Sequence, residues 1–134
     1  MNTYKTRFRV RYAETDQMGV VYYANYLVYM EMGRVELCRE LGLRYRDMEE
    51  DDEVFLAVAE AKCRYLAPAR YDDEIVVKTW IAESHPRMVK FAYEMSNSET
   101  GQLLAAGETK HIYCGPDMRP CKLPDKYRGT FAVS

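Results

Sequence analysis

The chain has 134 residues, enough for one hydrophobic core and too few for two. Hydrophobic residues make up 48% and charged residues 30%, an ordinary globular mix that excludes disorder throughout. The 19 basic and 21 acidic residues leave a formal net charge of −2, which argues against a nucleic-acid partner and allows at most a local basic patch.

In chain order, the first element expected is a strand over residues 6–12. Phe8, Val10 and Tyr12 alternate with Arg7, Arg9 and Arg11, the period of a half-buried strand. Residues 13–19 follow as a polar turn, in which Gly19 supplies backbone freedom. Residues 24–41 form the expected long helix. Leu27, Met30, Leu37 and Leu41 recur at helical spacing, with Tyr26, Val35 and Cys38 widening the stripe. Gly42 followed by Leu43 reads as its stop. Residues 45–53 are acidic and expected as a loop with a short helical turn.

Four strand-length runs come next, over residues 55–66, 73–84, 87–96 and 102–114. The joints between the last three, Ser84-His85-Pro86 and Asn97-Ser98-Glu99-Thr100-Gly101, are turn-like. Long strands joined by short turns pair antiparallel. The tail from Gly115 holds Pro116, Pro120 and Pro124 and is expected to be irregular. One helix with an apolar stripe must bury it on the sheet. The expectation is therefore α+β, with an antiparallel sheet of about five strands wrapped around one central helix. Ala57, Ala59, Ala61, Ala105, Ala106 and Gly107 would permit a close approach by the helix or by a second subunit. So thin a sheet leaves edges that a homo-oligomer would hide.

No apolar run reaches the about 18 residues that span a bilayer, and residues 1–7 lack the apolar stretch of a signal peptide. No membrane insertion and a cytoplasmic compartment are expected. Cys38, Cys63, Cys114 and Cys121 show no paired spacing. His111-x-x-Cys114 with Cys121 offers only three ligands in one region, so buried or strand-facing side chains are expected there and no metal. No further cofactor is expected.

Chemistry concentrates between the first strand and the helix. Asp16 is a carboxylate on a loop, and the helix start near Tyr23 offers N–H groups without intrahelical partners. Such groups can stabilise the oxyanion of a thioester carbonyl. The carboxylate could attack that carbonyl or activate a water. A thiolate leaves readily, so these two parts suffice. Taken alone, Asp16 is more readily a turn or cap residue than a catalytic one, and Glu14, two residues away, is a rival carboxylate or a solvated loop charge.

The stretch Arg11-Tyr12-Ala13-Glu14-Thr15-Asp16-Gln17-Met18-Gly19-Val20-Val21-Tyr22-Tyr23-Ala24-Asn25-Tyr26 resembles the signature of the hot-dog acyl-CoA thioesterases. The similar groups are the 4-hydroxybenzoyl-CoA thioesterase family and its Tol-Pal-associated branch. Gly33-Arg34, the stretch from Pro68 to Glu74, Arg119-Pro120 and Leu123-Pro124 extend the likeness over nearly the whole chain. The resemblance implies a single hot-dog domain over residues 1–134 that hydrolyses acyl- or aryl-CoA. It implies Asp16 as catalytic carboxylate and the Tyr23 backbone N–H as oxyanion donor. The Tol-Pal-associated branch commonly has histidine at that position, whereas the aromatic pair Tyr22-Tyr23 matches the 4-hydroxybenzoyl branch.

Tyr22 and Tyr26 are then candidates to meet the acyl group. The resemblance also implies CoA lying across a subunit interface near the third and fourth strands, where Arg87, Met88, Val89 and Lys90 would meet its phosphates or pantetheine arm. Arg64, Lys110, Arg119 and Lys122 are weaker candidates. A homo-oligomer is implied, a dimer of dimers by the same likeness. An acyl-carrier-protein thioesterase and a non-catalytic acyl-CoA-binding oligomer are the alternatives. A dehydratase on this fold would rely on a histidine, and neither His85 nor His111 falls in the Asp16 block.

Overall fold

The computed structural model describes residues 3–133. Met1, Asn2 and Ser134, the extremes of the expected 1–134 domain, lie outside the described residues. The elements run β1 (Thr3–Arg9), α1 (Asn25–Glu40), α2 (Tyr45–Asp51), β2 (Phe55–Tyr65), β3 (Glu74–His85), β4 (Met88–Asn97) and β5 (Leu103–Cys114). Five strands form one sheet in the order β1-β3-β4-β5-β2, with every neighbouring pair antiparallel. One long helix lies on this sheet, and the fold is the α+β hot-dog expected from the sequence.

The expected strand over residues 6–12 is displaced toward the N-terminus. After Arg9 the edge pairing passes to the β2–β3 connection, where the Val10 N–H donates to the Asp73 carbonyl. The Glu14 carboxylate then accepts the Arg11 N–H at 2.9 Å and closes a 3-10 turn at Tyr12–Glu14. Tyr12 therefore leaves the strand and is exposed rather than core-facing.

Helix α1 buries Tyr26, Tyr29, Met30, Gly33, Arg34, Leu37 and Cys38. Leu27, expected in that stripe, is 43% exposed. The buried arc is rotated because the close approach comes at Gly33, whose missing Cβ would collide with Thr79 and lie 2.8 Å from a Val77 methyl on β3. Gly42 stops the helix at φ +88°. The Leu43 N–H donates to the Cys38 carbonyl, and the Leu43 side chain is buried, the hydrogen-bonded glycine stop. Residues 45–51 form the short helix α2 instead of a mostly loop segment, held by the fully buried Met48.

On β3, Ile75, Val77, Thr79 and Ile81 are buried, one face of the period-two alternation. Gly107 on β5 admits the Met30 methyl of α1 and the Lys62 carbonyl of β2. Strand β2 is one of the two sheet edges, β1 being the other. A bulge between Val58 and Glu60 takes Ala59 out of its pairing with β5, and Ala59 and Ala61 are exposed, so neither receives the helix. The tail is irregular apart from a 3-10 turn at Asp125–Tyr127. It is fastened by Lys126 on Asp52 at 2.6 Å, by the Tyr127 hydroxyl on Asp52 and by the fully buried Phe131.

Candidate active site

Residues 14–22 form a small hairpin. The Tyr22 N–H donates to the Glu14 carbonyl and the Asp16 N–H to the Val20 carbonyl, both at 2.9 Å, with Thr15 bridged to Val21 between them. Gly19 turns the tip at φ +80°, a backbone region that side chains resist. The second arm is held from outside: the Val21 N–H donates to the Ala69 carbonyl and Val20 bridges Arg70. The hairpin thus rests on the connection between β2 and β3.

Asp16 sits at the tip, partly exposed. Its Oδ1 accepts the Met18 N–H at 2.8 Å and the Val20 N–H at 3.4 Å. Oδ2 takes no hydrogen bond among the described residues, so one oxygen is fixed and the other is available to a ligand. Five residues beyond Val20 the chain enters α1. The Asn25, Tyr26 and Leu27 N–H groups close back on Tyr22, Tyr23 and Ala24. The Tyr23 and Ala24 N–H groups make no backbone hydrogen bond among the described residues, which leaves two donors at the helix N-terminus that follows the Asp16 hairpin.

Glu14 is no solvated loop charge. It is 8% exposed, and four donors occupy its carboxylate. Oε1 accepts the Arg11 N–H and the Tyr29 hydroxyl, each at 2.9 Å. Oε2 accepts Arg11 Nε at 3.1 Å and Nη2 at 2.9 Å. Burial pushes its pKa up, but the hydrogen bonds from Arg11 and Tyr29 outweigh this and hold it below the usual carboxylate value. A saturated carboxylate has no oxygen left for substrate, so Asp16 is the available one.

Aromatic rings gather at the helix start. The Tyr22 and Tyr23 rings meet at a tilt, 4.8 Å between centroids, with 47% and 61% of their surface exposed. Tyr26 is buried and meets Tyr65 of β2 at 5.1 Å. The Tyr65 hydroxyl donates to the Tyr23 carbonyl at 3.1 Å, and burial raises its pKa to about 12, so it remains a donor. Sequence reasoning missed Tyr65, whose partner is 42 residues away, and Asn25, whose Nδ2 donates to the Glu14 carbonyl at 3.0 Å. Only the Arg11–Glu14 spacing left a local signal for the structural role of Glu14.

The segment 87–90 lies elsewhere. Val89 is fully buried in the core, Met88 is half-buried and Arg87 exposed. Lys90 Nζ lies 3.4 Å from Glu83 and 3.9 Å from Glu108, so two carboxylates already compensate its charge. The hairpin that carries Asp16 rests on the connection just before β3, and Arg87 follows the end of that strand. The 12 residues of β3 put about 35 Å of strand between them. One chain does not bring the two groups together. Among the described residues no cluster of three or more side chains could hold a metal, and no helix is long and apolar enough to cross a membrane.

Residues 10–131 match the model of the thioesterase-like superfamily. The chain is 41% identical over 112 residues to YneP of Bacillus subtilis, covering 84% of this chain and 80% of that protein. It is 32% identical over 134 residues to the acyl-CoA thioester hydrolase YbgC of Escherichia coli, covering 98% of each. Among solved structures, a DHNA-CoA thioesterase from Staphylococcus aureus superposes with a TM-score of 0.89 at 33% identity, over 95% of this chain and 84% of that one.

Proposed function

The chain belongs to the thioesterase-like superfamily, and we propose that it hydrolyses the thioester of an acyl- or aryl-CoA to the free acid and CoA. The observation that carries this is the hairpin pairing of Asp16, with one carboxylate oxygen free, and the unpaired N–H groups of Tyr23 and Ala24. The Tyr23 N–H receives the thioester oxygen as it gains charge, a contribution of roughly 10²–10³ in rate for a well-placed donor. Asp16 either adds to the carbonyl carbon or takes a proton from an attacking water. In the first route the CoA thiolate leaves a mixed anhydride, which water then cleaves. In the second the acid forms directly. The exposed Tyr22 and the edge of Tyr26 flank the acyl group.

In this mechanism residues 1–134 act as one hot-dog domain within a homo-oligomer. The free edge of β2, 11 residues long, supports antiparallel pairing with its copy. A two-fold axis there would bring the partner's Phe55 end beside this chain's Tyr65 end. The partner's Arg87-Met88-Val89-Lys90 would then share an end of the extended sheet with this chain's Asp16, on the order of 15 Å away by strand spacing. CoA would cross that interface, with Arg87 toward its phosphates, Met88 and the Val89 backbone along the pantetheine arm, and Lys90 closing the segment. A dimer of dimers could use the opposite sheet face, where Val76 and Trp80 alternate with the buried residues of β3.

The test is thiol release from a panel of acyl-CoA, aryl-CoA and acyl-carrier-protein esters by the wild type and Asp16→Asn. The wild type should release CoA, and the variant should lose roughly 10²–10⁴-fold in kcat while keeping its melting temperature. A folded variant that retains most of the activity would refute the role of Asp16. Esters bound but returned intact by the wild type would make the protein a binder, and turnover of carrier-protein esters alone would move the substrate class.

A further inference from the structure

We propose that Asn25 is a positioning residue for this hydrolysis, acting through the Glu14 carbonyl to hold Asp16 in register with the Tyr23 N–H; the inference rests on the thioesterase reading above. An asparagine in the first helical turn ordinarily turns its side chain onto its own helix end. Here its Nδ2 reaches back 11 residues and donates to the Glu14 carbonyl at 3.0 Å. The same oxygen accepts the Tyr22 N–H at 2.9 Å, so both its lone pairs are used. Residues 14 and 22 are the base of the hairpin, Asp16 stands on one arm, and Tyr23 follows the other. The two donors are the backbone of the residue before Tyr23 and a side chain two residues after it.

Glu14 cannot move to follow a loosened arm. Tyr29 of α1 and the Arg11 backbone and guanidinium hold its carboxylate, so its carbonyl is a fixed point. Asn25 fastens the helix N-terminus to that point. It touches neither Asp16 nor the donors themselves, so it acts on geometry alone. Catalytic groups work only when held within about 0.5 Å of the productive arrangement, and a 1 Å misplacement costs about 10²-fold. Losing the amide removes the one side-chain tie from the first turn of α1 to the Glu14 carbonyl and leaves that oxygen with the Tyr22 N–H alone.

The experiment measures kcat, KM and melting temperature for Asn25→Ala, Asn25→Asp and Asn25→Gln, with Asp16→Asn in parallel, on whichever acyl-CoA ester the wild type cleaves fastest. Asn25→Ala should lower kcat roughly 10- to 100-fold with KM within about twofold, because the substrate is not touched. Asn25→Asp keeps the shape but sets a carboxylate oxygen against a carbonyl, so it should be no better than Asn25→Ala. Asn25→Gln keeps an amide donor and should recover part of kcat. If Asn25→Ala fails to fold, Asn25→Ser carries the same expectation.

A kcat within threefold of wild type for Asn25→Ala overturns the proposal. So does a rise in KM at constant kcat, or an Asn25→Asp variant as active as wild type. If Asp16→Asn stays active, the catalytic reading itself fails and takes this role with it. If Asp16→Asn is inactive and Asn25→Ala is not, only the positioning role falls.

Discussion

Acidification should destabilise this protein through His111. His111 is 1% exposed, and burial, with Arg34 nearby, lowers its pKa from 6.5 to about 3. Its Nε2 meets Thr109 Oγ1 at 2.8 Å, Thr109 meets the Tyr93 hydroxyl at 2.6 Å, and Arg34 Nη1 donates to that hydroxyl at 3.1 Å. The ring is neutral when folded. Below pH 6.5 the unfolded chain takes up a proton that the folded chain refuses, so stability falls as pH falls from 6.5 toward 3. At about 1.36 kcal/mol per pKa unit, this amounts to about 2 kcal/mol between pH 7 and pH 5. The figure scarcely changes if the folded value is a unit higher, because pH 5 would still lie above it. For a chain of this size that is about 7 °C in melting temperature. The assay is thermal unfolding at pH 7 and pH 5, at one protein concentration so that oligomerisation does not intrude, for wild type and His111→Gln. Groups common to both cancel in the comparison. Wild type should lose about 7 °C more than the variant over that interval. Equal losses, or a wild type that gains stability toward pH 5, would show that His111 accepts its proton in the fold.

Two further expectations concern the sheet. Gly107→Ala would drive a Cβ into the Lys62 carbonyl and the Met30 methyl and to 3.3 Å from the Cys63 Cα, and two of these three atoms are β2 backbone. Overpacking of that kind costs about 1–3 kcal/mol, to be read as a lowered urea midpoint; an unchanged midpoint would mean that β2 yields freely. Val58, 58% exposed on β2, tests the pairing of edges. Val58→Asp sets two like charges near the two-fold axis, so sedimentation should show a smaller species at concentrations where wild type associates, with thioester hydrolysis falling alongside. A dissociated variant with full activity would mean that one chain holds the complete site.

Much of the fold was legible because its signals are local. Alternation found β2 to β5 within a residue or two, and Gly42 with Leu43 marked the end of α1 from two adjacent positions. The errors fell where a distant partner decides. Tyr12 reads as strand until Asp73 takes the Val10 N–H and Glu14 closes the turn. Leu27 reads as core until Gly33 lets Thr79 and Val77 set the rotation of α1. The site divides in the same way. Asp16 and the Tyr23 N–H lie seven residues apart, and the block around them can be recognised. What holds them depends on Tyr29, Asn25 and Tyr65, whose partners are 15, 11 and 42 residues away. A side chain chosen for such a contact leaves no periodic mark, which is why Glu14 reads as a loop charge in the sequence and proves to be the fixed point of the hairpin.

The basic segment raises a different problem, because its place is legible and its use is not. Arg87 and Lys90 fall at the start of a strand as expected, yet β3 carries them to the far end of the sheet from Asp16. No adjustment of loops closes a gap of about 35 Å within one chain. Either Arg87 has no part in binding CoA, or it acts on the substrate of a second subunit. Antiparallel pairing of β2 with its copy reverses the ends of the partner's sheet and removes the gap without moving any residue. The two alternatives separate in a mixing experiment. An Asp16→Asn chain and an Arg87→Ala chain, each impaired alone, should recover up to about a quarter of wild-type sites when equal amounts are unfolded and refolded together, because random pairing yields one intact site in half of the dimers. An Arg87→Ala chain as active as wild type, or absence of recovery with exchange verified by differently sized tags, would rule out the shared arrangement.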